Sequence, residues 1–165
     1  MKSHPFPVAC AVATAWLVAG CNEPRTPQNA GAPPPKHEHR PPHGGTAVEL
    51  GKEEFHLEIV RDAAAGRLTA YVMDGELENF VRIAEPALVL VAKGPSGTTN
   101  LTLRATANPA TGETVGDTAQ FAGEAAWIRD VPVFDGLFPE LKIRGHTYNR
   151  ITFNFPRGNE AGKER

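Results

Sequence analysis

Between residues 43 and 156 the chain alternates apolar and polar side chains with a period of two. Phe55, Leu57 and Ile59 alternate with His56 and Glu58, and Leu68, Ala70 and Val72 alternate with Thr69 and Tyr71. Leu101 and Leu103 flank Thr102, while Ile151, Phe153 and Phe155 are separated by Thr152 and Asn154. Successive side chains of a strand project to opposite faces, so each run predicts a strand with one buried and one wet face. On that pattern His56 belongs to the wet face. The run ALVLVAK, 87–93, is apolar on both faces and predicts a central strand.

Turn residues punctuate these runs. Asp62-Ala63-Ala64-Ala65-Gly66 connects two strands, Gly94-Pro95-Ser96-Gly97 connects the next pair, and Asn108-Pro109-Ala110-Thr111-Gly112 ends another. Arg144-Gly145-His146 makes a tight turn near the end. The stretch 118–137 is the least regular, and its GEAAWIRDVPVFDG predicts either a short helix or a partly extended connection. No internal repeat is present. The expected fold is all-β, an immunoglobulin-like β-sandwich of about seven strands. Trp127, Phe121, Phe134 and Phe138 are expected to plug its end; exposed together, they would instead mark a ligand or protein contact.

The residues before this domain read differently. Lys2 precedes an apolar run, Val8 to Val18, of signal-peptide length and too short to span a bilayer. The run ends Leu17-Val18-Ala19-Gly20-Cys21, which resembles the bacterial lipobox. That resemblance implies a signal peptide over 1–20, lipidation of Cys21 and a mature chain without Cys10. Residues 21–42 are rich in Pro and polar side chains and bury too little apolar surface to offset ordering entropy, so they predict a disordered tether. The polar residues 157–165 are expected to fray. The chain is thus expected in the cell envelope, lipid-anchored and facing the periplasm.

Charge and motifs narrow the chemistry. The formal charge is −2, and removing residues 1–20, whose one charged side chain is Lys2, moves it to −3. With no basic cluster in the body, nucleic acid is not an expected partner. There is no G-x-S-x-G elbow, no H-E-x-x-H, no P-loop and no dinucleotide-binding glycine turn, and catalysis is not expected.

The notable cluster is KHEHRPPHGG, 36–45. His37, His39 and His43 could supply imidazoles to Zn(II), Cu(II) or Ni(II), with an oxygen from Glu38. In a flexible arm every ligand must be ordered on binding, which lowers affinity, and a plain solvated linker would show the same composition. His56 and His146 could join the three if the chain folds back; otherwise they are ordinary surface histidines.

From His43-Gly44-Gly45 onward the chain resembles the small β-sandwich domain at the N-terminus of periplasmic adaptor proteins of heavy-metal RND efflux systems. It is also similar to short bacterial lipoproteins of planctomycete type built from that domain. The likeness covers about 43–156. Its marked parts are HGG, the Glu49-Leu50-Gly51 end of the first strand, the Ala70-Tyr71-Val72 strand and the closing Gly145-His146-Thr147-Tyr148 hairpin. It implies a β-sandwich placed beside metal-efflux machinery. The chain lacks the coiled-coil hairpin and lipoyl-like halves of a full adaptor, so an accessory role is all that carries over. Two expectations result. One is a non-catalytic lipoprotein binding divalent transition metal through His37, His39 and His43, with His56 or His146 as additions; the other is an interaction module for another envelope protein, with no metal role.

Overall fold

A computed structural model describes residues 40–159. Eight strands account for nearly all regular structure: β1 (Thr46–Leu50), β2 (Phe55–Asp62), β3 (Arg67–Asp74), β4 (Ala87–Gly94), β5 (Gly97–Ala105), β6 (Gln120–Glu124), β7 (Phe134–Ile143) and β8 (His146–Phe155). One short helix, α1 (Trp127–Asp130), precedes β7. The expected all-β class holds, with one strand more than anticipated. A single antiparallel ladder runs through all eight strands in the order β1-β2-β3-β6-β5-β4-β7-β8. The irregular stretch 118–137 supplies the added strand, β6, and also the helix.

The turns follow from their residues. Ile143 pairs with His146, leaving Arg144 and Gly145 as a two-residue loop with φ of 47° and 84°. Positive φ at both positions is the hairpin geometry whose twist matches the flanking strands. In the β2–β3 connection, Asp62 Oδ1 accepts the Ala65 N–H at 2.9 Å. Arg129 of α1 donates to the Ala64 and Ala65 carbonyls of the same turn, while Arg61 donates to the Ile128 and Arg129 carbonyls. The two arginines therefore fasten the helix to the β2–β3 hairpin.

The sheet curls around one main core. Leu57, Ile59, Leu68, Ala70, Val72, Leu90, Leu103, Phe121 and Phe138 are all fully buried there. The alternating runs supply the inward side chains, as expected. Phe121, Phe134 and Phe138 belong to this core, and Trp127 packs against it edge-on to Phe134. The β1 and β8 edges meet through side chains. Thr46 Oγ1 donates to the Pro156 carbonyl, and the Asn159 amide accepts from Glu49 N–H at 2.7 Å and donates to Glu49 C=O at 3.0 Å. Asn159 thus takes the place of a neighbouring peptide on the β1 edge. Of the expected fraying over 157–165, the part at Arg157 to Asn159 is corrected here, since these residues complete the seam with Gly158 bridged to Asn154; residues 160–165 lie outside the described residues.

A second correction concerns the outer face of β2. His56 and Glu58 were expected in water, yet both are fully buried. The segment around His43 to Gly45 and the β3–β4 connection cover that face. Within the connection, Phe80 bridges to Met73, and Leu77 joins Ala47, Met73 and Tyr71 in a small second cluster. A period-two pattern reports only which side chains alternate; it carries no information on what later folds over the polar face.

Candidate functional site

Glu58 is the centre of the covered outer face. Its Oε1 accepts the backbone N–H of His43 at 2.8 Å and that of Gly45 at 2.9 Å. Its Oε2 lies 2.7 Å from Nδ1 of the His43 ring. All three nitrogens come from His43-Gly44-Gly45, so one carboxylate gathers the whole lead-in to β1. Each glycine has a physical reason. Gly44 sits at φ 67°, where its N–H closes a turn onto the Pro41 carbonyl, and a Cβ on Gly45 would stand 2.7 Å from the Ile59 carbonyl and 2.8 Å from Glu58 Cγ.

The side chain of Glu58 is 0% exposed and that of His43 is 37% exposed. Burying an ion costs several kcal/mol even after relaxation. Hydrogen bonds to a charged acceptor contribute roughly 1.5–3 kcal/mol each. Three of them are therefore about what is needed to hold the carboxylate in place. The His43 ring also stacks on Tyr71, with centroids 4.0 Å apart and planes at 12°, and Phe80 closes the group at 5.8 Å from His43. Tyr71 is the cross-strand neighbour of Glu58. Burial and the nearby Glu58 charge push its phenol above the ordinary range, against the opposing charge of Arg67.

His146 sits in a similar but open arrangement. Its ring is nearly parallel to Tyr148, at 13°, and its Nδ1 is 3.8 Å from Glu54 Oε2. Here the side chains are 58% and 49% exposed, and Glu54 is held by the Tyr148 hydroxyl at 2.6 Å instead. Burial, together with the hydrogen bond and charge of Glu54, pushes the Tyr148 phenol up to about 12.

The structure separates the expected ligands. His56 is enclosed, with Nδ1 3.3 Å from the Asp74 carbonyl, and His146 is engaged with Glu54 and Tyr148. Among the described residues, no three His, Cys, Asp or Glu side chains form a group able to hold a metal ion. His37, His39 and Cys21 lie outside the described residues. His43, near the start of the described residues, pairs with the buried carboxylate of Glu58. A polar residue alternating with apolar neighbours looks solvated, so nothing in the strand pattern marked Glu58 as its partner.

Comparison of the chain with protein-family models, with characterised proteins and with solved structures yields no match. Among the described residues, no helix is long and apolar enough to cross a membrane.

Proposed function

We propose that the protein is a non-catalytic lipoprotein of the bacterial envelope, anchored through Cys21, that captures divalent transition metal where its tether meets the β-domain. His43 is the fixed ligand in this scheme. His37 and His39, six and four residues upstream, are recruited to it when Zn(II) or Cu(II) binds. The observation that carries the proposal is the placement of His43: half-exposed, stacked on Tyr71 and tied to the fold through Glu58. One preorganised imidazole lowers the ordering cost that an entirely flexible histidine arm would meet. His56 and His146 have no part in it.

Calorimetric titration of the full chain in detergent with Zn(II) tests this. Binding is expected, abolished by His43→Ala and weakened by His37→Ala/His39→Ala. Heat unchanged by either substitution would refute the assignment.

A second function draws on a different observation. Phe80 is 50% exposed beside the His43 and Tyr71 rings, an aromatic face that suits a protein contact. Crosslinking in membranes to one reproducible envelope protein, lost with Phe80→Ser and indifferent to chelators, would favour this interaction role over metal capture. A place beside metal-efflux machinery is proposed on the family resemblance alone.

A further inference from the structure

The two oxygens of Glu58 are used unequally. Oε1 accepts both backbone N–H groups, from His43 and Gly45, whereas Oε2 faces only Nδ1 of the His43 ring. An ionised carboxylate accepts hydrogen bonds and donates none, so the nitrogen that meets it must carry the proton. In a neutral imidazole the other nitrogen then holds the lone pair. The His43 side chain is 37% exposed, and its stack on Tyr71 hinders the ring from turning over.

We infer that Glu58 is a positioning residue. It selects the Nδ1–H tautomer of His43 and presents the Nε2 lone pair outward as the donor atom for a divalent ion of the Zn(II) or Cu(II) class. The inference rests on the metal-capture function proposed above, but its tautomer half is measurable without metal. A carboxylate bonded to the far nitrogen of a ligating histidine fixes ring orientation and raises donor strength. Here that carboxylate is buried and bound to the backbone on both sides of the ring. The donor is therefore aimed by the folded domain and not by the tether.

The isosteric change Glu58→Gln makes a sharp test because the oxygens are sorted. A glutamine carbonyl at the Oε1 position keeps both backbone N–H bonds. Its amide nitrogen then falls at the Oε2 position, donates to Nδ1 and forces the proton onto Nε2. Long-range proton–nitrogen NMR correlations of the full chain in detergent, without metal and at about pH 8, should show His43 as the Nδ1–H tautomer in the wild type and the Nε2–H tautomer in Glu58→Gln. Zn(II) affinity should fall by about 10–100-fold in the variant. The Nε2–H tautomer in the wild type would overturn the inference even if the variant failed to fold. So would a variant that keeps the wild-type tautomer or affinity. A wild type that shows the Nδ1–H tautomer yet takes up no Zn(II) would leave Glu58 as the residue that sets the tautomer and would overturn the metal function.

Discussion

The chain places two histidines against two glutamates, and substituting each to alanine should give very different costs. His43 Nδ1 meets Glu58 at 2.7 Å with the carboxylate 0% exposed, while His146 Nδ1 stands 3.8 Å from a Glu54 that is 49% exposed. His43→Ala removes a bond to a buried charge, worth about 1.5–3 kcal/mol, and an aromatic stack worth about 0.5–1.5 kcal/mol. Because the ring is partly in water the lower half applies, giving a loss of about 2–3 kcal/mol. The two backbone N–H bonds on Oε1 survive, so the fold should persist. His146→Ala removes an exposed, elongated pair worth about 0–1 kcal/mol. Urea unfolding followed by fluorescence reads both, since Trp127 is the one tryptophan outside residues 1–20 and packs edge-on to Phe134. With a slope of about 1–1.5 kcal/mol per molar urea, His43→Ala should lower the midpoint by about 1.3–3 M. Equal midpoints for the two variants, or a loss under about 0.5 kcal/mol for His43→Ala, would refute the claim that Glu58 is a buried anchor dependent on this ring.

Two further outcomes concern ionisation. Both tyrosines of the chain are pushed above the ordinary range, Tyr148 to about 12, so absorbance near the tyrosinate band should stay flat through pH 10 (about the ordinary value) and rise only beyond it. Since the folded value is the higher, the contribution of Tyr148 is complete below the unfolded pKa and is lost as pH climbs through the folded one; ionisation near pH 10 would contradict its bond to Glu54. Glu113 behaves in the opposite sense. Burial alone would raise it, but bonds from Thr111, Ala119 and Thr118 and the charge of Arg82 outweigh that and hold it below the ordinary range. Its contribution is present above the unfolded glutamate value and is lost as pH falls through the folded one. Melting temperatures should drop on acidification in the wild type and more shallowly in Glu113→Gln, with parallel curves speaking against the assignment.

The fold class was largely legible, and the site only in part. The lead-in motif could be picked out from His43-Gly44-Gly45, but its partner Glu58 could not, because a carboxylate amid alternating apolar residues looks the same whether water or another segment faces it. The same ambiguity put His56 in solvent. Asn159 was hidden for another reason: its bonds reach back 110 positions to Glu49, and no local pattern reports a contact at that range.

The sequence by itself determined the inward faces of the strands and the tight turn at Arg144-Gly145-His146. Both follow from near-neighbour physics: side-chain alternation and backbone freedom at glycine. Only the tertiary structure decided that β6 lies between β3 and β5, that the residues after β8 seal the β1 edge, and that three nitrogens of the lead-in converge on one buried carboxylate. Those outcomes depend on which distant segments come to cover one another, and the free energy of burying Glu58 exists only once they have.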